Sequence, residues 1–200
     1  MTKALKILRP ASPADWRTWL SQHHQQTATV WVAVSKKNAD QPTLSQAEAV
    51  NEALCYGWID GTAQSLNEHY FLQSFSRRKP KSVWSKINKE KIRQFKKAGR
   101  LAQPGLDSIA VAKANGYWNI LDEVEALIVP EDLAKALRGK KAANEYFTNL
   151  ARSRKKRLLQ WIVLAQRPET RKKRITEIVA AAATRGMPNG FETVSLPRRA

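Results

Sequence analysis

The chain has 200 residues, of which 42% are hydrophobic, enough for one folded domain or for one domain with a small appendage, so a disordered chain is excluded. No apolar run approaches the roughly 20 residues that span a bilayer, and the N-terminus lacks the apolar stretch of a secretory signal. Cys55 is the single cysteine, which excludes an intrachain disulfide and a cysteine-based zinc site. We therefore expect a cytoplasmic protein with no membrane span.

The charge is strongly positive. Lysine and arginine number 35 against 17 aspartates and glutamates, which gives a net charge of +18. Such a surface attracts polyanions, including nucleic acid, anionic lipid and acidic protein. The same charge also occurs in basic soluble proteins that bind none of these, and the composition does not separate the two.

The first elements are indicated by helix start signals and by one apolar segment. Ser12, followed by proline and Asp15, predicts the start of a first helix. The β-branched and aromatic residues of 29–35 are typical of a strand. Ser45 followed by Glu48 is a capping box that predicts a second helix, and Gly57 suits the position just past its end.

A β-hairpin is predicted next, with strands at 58–66 and 69–77 and a turn at 67–68. Within it lies the sequence GWIDG, in which Asp60 shares a face with Trp58. Two interpretations of Asp60 stay open. It is either a carboxylate that positions a cation or moves a proton, with His69 as one partner across the strands, or a structural acceptor at a kink between two glycines.

The densest basic segment is 77–100. Ser82 is a candidate cap for a helix starting near Trp84, and it forms with Arg78, Lys79 and Lys81 a candidate anion site. The predicted apolar arc of this helix holds Trp84, Ile87, Ile92, Phe95 and Ala98, with Asn88 and Lys91 as polar residues inside it. The opposite, basic face holds Lys86, Lys89, Arg93, Lys96, Lys97 and Arg100.

Residues 101–116 predict a further helix after a break at Gln103-Pro104-Gly105, and every later signal is helical. A second basic cluster spans 152–174 and includes Arg154, Lys155, Lys156, Arg171 and Lys172. We predict an α+β fold. A small antiparallel sheet with helices fills residues 1–120, and an all-helical module fills 121–200, with its helices at about 130–185 and a loose tail from Gly186.

Six sequence blocks, in their order along the chain, resemble the bacteriocin-protection family, also called YdeI/OmpD-associated. The blocks are WVAVSKKN, LSQAEAVNEALCYGWIDG, SFSRRKPKSVWSKIN and AKANGYWN, followed by PEDLAKAL and AQRPETRKKRI. The resemblance extends over about residues 12–185. It implies an α+β N-terminal part, a helical C-terminal part, and a role in protection against antimicrobial peptides or in association with a porin. No reaction is attached to it.

Three functions remain open. The first is a cytoplasmic stress or resistance accessory protein that binds a small anionic or peptide ligand without catalysis. Its predicted ligand-binding residues are those that converge if the hairpin packs on the basic helix: Lys36, Lys37, Trp58, Asp60, Arg78, Ser82, Trp84, Asn88 and Lys91. The second is nucleic-acid binding through the two basic clusters. The third is an enzyme that uses Asp60 as acid or base. No catalytic, nucleotide-binding or metal-ligand motif is present, so we assign no catalytic residue, cofactor or metal.

Overall fold

The computed structural model describes residues 7–189, and these form two compact units that divide between Trp118 and Asn119. The predicted α+β class is confirmed, because strands and helices mix in the first unit and helices alone form the described part of the second. The elements of the N-terminal unit are β1 Ile7–Leu8, α1 Pro13–His23, β2 Val30–Ser35, α2 Gln46–Cys55, β3 Trp58–Ser65, β4 Tyr70–Arg77, α3 Lys86–Lys97 and α4 Gln103–Ala114.

Two of the predicted helix starts, at Ser12 and Ser45, are confirmed in the first unit. The Ser12 hydroxyl accepts a hydrogen bond from the Asp15 amide at 3.1 Å and begins α1. Ser45 and Glu48 form both bonds of the capping box that begins α2. In each case the cap satisfies an amide that has no partner inside the helix.

A four-stranded sheet carries these helices, in the order β1-β2-β4-β3. The predicted hairpin is confirmed as the antiparallel pair β3 and β4, and the Asn67 side chain holds its turn by accepting from the amides of His69 and Tyr70. β1 pairs with β2 in parallel and was not predicted, because two residues are too short to show alternation.

The core of this unit lies between the sheet and its helices. Its largest fully buried side chains include Trp16, Trp58, Phe75 and Trp84. The Trp16 indole packs on Phe75 and donates to the carbonyl oxygen of Ala49 at 3.0 Å, which joins α1, α2 and β4. Each buried indole contributes a large apolar area, so these residues fix how the helices lie on the sheet.

The backbones of α2 and α4 approach very closely at glycines. Gly57 has a φ of +73° just after α2, as expected for a residue past a helix end. A Cβ atom added to Gly105 would lie 2.2 Å from the carbonyl oxygen of Cys55, and the Ala102 amide donates to that same oxygen at 3.1 Å. The prediction of a break at 103–105 is wrong, because these residues form the first turn of α4. Pro104 suits that turn, and Gly105 is needed for the contact.

The start and buried face of α3 also differ from the prediction. Ser85 is the N-cap and α3 begins at Lys86, so Ser82 does not cap a helix that starts near Trp84. Since Trp84 precedes the helix, its burial does not report which helical face is buried. The buried stripe is Asn88, Lys89, Ile92 and Phe95, whereas Ile87 is 44% exposed and Ala98 is exposed.

The C-terminal unit contains helices throughout its described part. Pro130 and Pro168 stand at the starts of two of them, and Leu133, Leu158 and Ile162 are among its fully buried side chains. Residues 190–200, most of the predicted tail, lie outside the described part. The helices are α5 Asp122–Glu125, α6 Glu131–Arg138, α7 Lys141–Thr148, α8 Arg152–Val163 and α9 Pro168–Ala183. None of the described helices could cross a membrane.

Candidate functional site

A cleft of about 470 Å³ opens in the N-terminal unit. This volume lies within the range of small-molecule sites. One wall comes from the end of β4 and the residues after it, the other from α4, and the ends of α1 and α2 complete it. The lining residues are His24, Gln25, Tyr56, Gly57, Arg77, Arg78, Lys79, Pro80, Pro104, Asp107, Ser108 and Val111.

Three consecutive cations form the β4 side of the cleft. Arg77 ends the strand, and the Arg78 amide continues its pairing by donating to the Gly57 carbonyl at 2.9 Å. Lys79 then starts a turn in which its amide donates to the Ser82 hydroxyl at 2.9 Å. Ser82 was predicted to cap a helix at an anion site, and it instead holds this turn. Arg77 and Lys79 are exposed, whereas Arg78 is buried.

Arg78 is 7% exposed, and its guanidinium carbon lies 3.7 Å from the centroid of the Trp84 ring. Its Nη1 donates to the Val83 carbonyl at 3.0 Å. Its Nε and Nη2 are buried and have no hydrogen-bond partner among residues 7–189. These two atoms form one edge of the guanidinium, which binds both oxygens of a carboxylate at once. We call the Nε and Nη2 edge of an arginine its fork.

Burial lowers the pKa of Arg78, and the charge of Asp60 opposes that shift. An arginine starts from so high a pKa that the group stays charged at neutral pH. A charged, buried donor edge without a partner is costly, since such groups are nearly always paired with protein, water or an ion. The Arg78 fork is therefore the feature of this site that most requires explanation.

Asp60 lies opposite Phe75 in the sheet, on the same face as Trp58, as predicted. Its charge acts on the pKa of both Arg78 and Lys91, and burial lowers the pKa of Lys91. Asp60 therefore interacts electrostatically with both Arg78 and Lys91, and Arg78 in turn packs on Trp84. That these residues bind a ligand together stays a prediction.

The glycines that flank GWIDG have structural reasons. After Asp60 the strand bulges, because Gly61 and Thr62 together face Ser74 alone. The Gln73 amide, fully buried, donates to the carbonyl oxygens of Gly61 and Thr62 at 3.0 and 3.2 Å. A Cβ at Gly61 would lie 2.7 Å from the Ser74 hydroxyl. The bulge accounts for the second glycine of the motif, and the contact with α4 for the first.

Two other predicted ligand-binding residues, Trp58 and Asn88, are buried in the core of this unit. The Trp58 indole donates to the His24 carbonyl at 3.2 Å, and so holds the end of α1 at the cleft. Asn88 is 7% exposed, and its amide donates to Ser85 at the start of α3. Both are buried as parts of the scaffold.

Lys36 and Lys37 are not brought to this site. They follow Ser35, which pairs with Tyr70 at the end of β4 opposite to Arg77. Lys36 donates to the Asn67 carbonyl at 2.6 Å, in the hairpin turn. His69 was considered as one possible partner of Asp60, and its ring lies instead 3.4 Å from the Asp40 carboxylate.

The basic face predicted for α3 is largely exposed, with one exception. Lys89 is 5% exposed and its ammonium lies 5.5 Å from the Trp118 ring centroid, so its prediction as a surface contact is wrong. Arg100 contacts the buried Glu52 at 2.5 Å, and Arg93 pairs with Glu90 at 2.8 Å. The remaining predicted contacts Lys86, Lys96 and Lys97 are exposed.

The second basic cluster is also partly paired. Lys156 contacts Glu125 at 2.6 Å, and Lys155 donates to the Thr148 carbonyl at 2.9 Å. The Arg171 fork holds Asp132, while Arg154 and Lys172 are exposed. Nucleic-acid contact by either cluster stays a prediction.

Sequence reasoning missed the α4 wall of the cleft, including Asp107 and Ser108, together with His24 and Tyr56. The only signal of the α4 wall in the sequence was the pair Gly57 and Gly105, which allows α4 to approach α2. Among residues 7–189 there is no group of three or more histidine, cysteine or acidic side chains that could hold a metal ion.

Comparison with known proteins gives two family matches. Residues 8–108 match a domain of unknown function, DUF8412. Residues 126–185 match the family described as bacteriocin-protection, YdeI or OmpD-associated. The resemblance to the latter is confirmed in this C-terminal part, whereas the GWIDG and KSVWSKIN blocks fall in the former match. Neither the curated proteins nor the solved structures yield a match.

Proposed function

We propose that this chain is an accessory protein of antimicrobial-peptide resistance. It belongs to the family of the DUF8412 domain of unknown function, and it also carries a bacteriocin-protection, YdeI or OmpD-associated domain. In this proposal the N-terminal cleft binds a small anionic ligand and leaves it chemically unchanged. The protein acts in the cytoplasm, where its single, buried Cys55 stays reduced. The family description supports the resistance role, and the cleft supports ligand binding.

The observation that carries ligand binding is the Arg78 fork. A buried guanidinium whose Nε and Nη2 lack a protein partner is matched by a planar anion that accepts from both atoms. Trp84 and the Val83 carbonyl fix the plane of the group in advance, so little side-chain entropy is lost on binding. The exposed Arg77 and Lys79 beside it attract the anion to the cleft.

Thermal-shift and calorimetric titrations of the full chain test this function at constant ionic strength. The probes are inorganic phosphate, propionate and the dipeptide L-alanyl-L-alanine. We expect at least one to raise the melting temperature and to bind with a measurable heat. Arg78→Met abolishes that response, because it removes the fork while keeping an apolar side chain on Trp84.

The matched control carries Lys96→Gln and Lys97→Gln, which remove exposed cations from the end of α3. These residues are not among those lining the cleft, so we expect this control to bind as the unchanged chain does. Flat responses to all three probes, or an equal loss in the Lys96 and Lys97 variant, contradict the proposal.

A further inference from the structure

The two walls of the cleft carry opposite charges. Arg77, Arg78 and Lys79 lie on the β4 side, and Asp107 lies on the α4 side. The Asp107 carboxylate is exposed and accepts from the Gln103 amide at 2.7 Å, one turn earlier in α4. A simple anion uses only the first wall. A ligand that carries an ammonium group as well as an anionic group uses both.

A second arginine of this chain shows what the Arg78 fork fits. Arg171 donates from Nε to one oxygen of Asp132 at 2.6 Å and from Nη2 to the other at 3.0 Å. The partner is a planar carboxylate whose two oxygens match the two donors. Since Nη1 of Arg78 is already bonded to Val83, this same edge is the part of the guanidinium that has no hydrogen-bond partner among residues 7–189.

We propose that the ligand of the cleft is a small zwitterion, an amino acid or a short peptide, whose carboxylate binds the Arg78 fork and whose ammonium group faces Asp107. This rests on the proposed function and names the chemical class that the site selects. Val111, Pro104 and the Tyr56 ring supply the apolar contacts for the body of the ligand between its two charges.

The two acidic residues argue against phosphate as the anionic group. At neutral pH a phosphate carries close to two negative charges. Asp107 lines the same cleft, and Asp60 already acts electrostatically on Arg78. Like charges disfavour a dianion there, whereas a carboxylate adds one negative charge and the ligand's own ammonium offsets it.

Calorimetric titration of the full chain with four probes tests the inference. L-Alanyl-L-alanine has both charges, its N-acetyl derivative has only the carboxylate, and its C-terminal amide has only the ammonium. Inorganic phosphate carries more than one negative charge on average and no ammonium. We expect the dipeptide to bind most tightly. Losing the ammonium weakens binding about two- to fivefold, as for one exposed ion pair, and losing the carboxylate weakens it at least about tenfold.

Asp107→Asn then identifies the ammonium partner. This variant is expected to bind the dipeptide about two- to fivefold more weakly and to bind the N-acetyl derivative, which has no ammonium group, at least as tightly as the unchanged chain does. Glu68→Gln, which removes one exposed negative charge at the hairpin turn, is the control that leaves both affinities unchanged.

The outcomes separate the two proposals. If phosphate or the N-acetyl derivative binds as tightly as the dipeptide, or if Asp107→Asn weakens both peptides equally, the zwitterion is wrong while anion binding stands. If the amide binds as tightly as the dipeptide, the carboxylate assignment is wrong. If none of the four probes binds, both proposals fail.

Discussion

Two arginines, one in each unit, use the same chemical group in opposite ways. Arg171 is partly exposed, and its fork is filled by Asp132, whose pKa that arginine lowers. Arg78 is buried against Trp84, and its fork has no partner among the described residues. The filled fork links α9 to α6 at little desolvation cost. The unfilled fork lowers the stability of the protein alone, because its charged donors have no hydrogen-bond partner. A ligand that accepted from both donors would remove this cost.

Burial by itself does not explain this difference. Glu52 is as buried as Arg78, at 6% exposure, yet both of its oxygens are bonded, one to Arg17 at 2.7 Å and the other to Arg100 at 2.5 Å. The N-terminal unit therefore satisfies one buried charge completely and leaves another partly open. The comparison can be tested by removing charges or close contacts in each region.

The largest expected effect comes from Glu52→Gln. The change leaves Arg17 and Arg100 beside a neutral amide. Leaving a fully buried charge unpaired costs about 3–5 kcal/mol, and because these two arginines are 36% and 44% exposed we expect the lower end of that range, about 3 kcal/mol. Urea unfolding followed by tryptophan fluorescence measures the loss. The control Glu131→Gln, in an exposed pair of the C-terminal unit, is expected to cost less than about 1 kcal/mol. Equal losses would show that burial of an ion pair does not determine how much it contributes to the free energy of unfolding.

A smaller effect is expected from Gly105→Ala, which tests the close approach that forms the cleft wall. The new methyl group would overlap the Cys55 carbonyl, and such overpacking costs about 1–3 kcal/mol. Gly139→Ala is the matched control in the C-terminal unit, where a Cβ meets nothing within 4 Å. Calorimetric melting curves compare the two variants. A neutral Gly105→Ala would mean that α4 moves freely away from α2.

The smallest effects compare the two forks directly. Arg78→Met is expected to raise the free energy of unfolding of the ligand-free protein by about 1 kcal/mol, because it replaces a buried and partly unpaired charge by an apolar side chain. Arg171→Met is expected to lower it by less than about 1 kcal/mol, since it breaks an exposed pair. Chemical denaturation of both variants gives the signs. A large loss in Arg78→Met would show that the guanidinium stabilises the fold.

Most elements could be predicted because their signals are local. The bonds that begin α1 and α2 join residues only three apart, so Ser12 and Ser45 are recognisable without knowledge of the fold. The same applies to the hairpin, whose turn is held by Asn67 over two and three residues. The error at α3 arose because Trp84, an apolar residue at helical spacing from Ile87, was included in the predicted helical stripe. In the structure it lies just before the helix and is buried by tertiary packing.

The site could be predicted only in part. Asp60, Arg78, Lys91 and Trp84 were candidates. In the structure Arg78 packs on Trp84, and Asp60 acts electrostatically on both Arg78 and Lys91. Lys36 and Lys37 were candidates as well and lie at the other end of the sheet, because sequence order does not show which strand end faces which helix. Asp107 was absent from the prediction, since an exposed acid in a helix has no local pattern that marks it.

The sequence by itself determined the α+β class, the main helices and strands, and the resemblance of the C-terminal part, because capping bonds and hydrophobic periodicity act over a few residues. Only the tertiary structure decided that Arg78 is buried while Arg77 and Lys79 stay exposed. That choice depends on Trp84 and Val83, and on how β4 lies beside α4. Likewise, the closed group of Glu52 with Arg17 and Arg100 joins residues 35 and 48 positions apart. No local pattern specifies contacts across such separations, so the sequence supplied the charged groups and the packing selected which of them remains open.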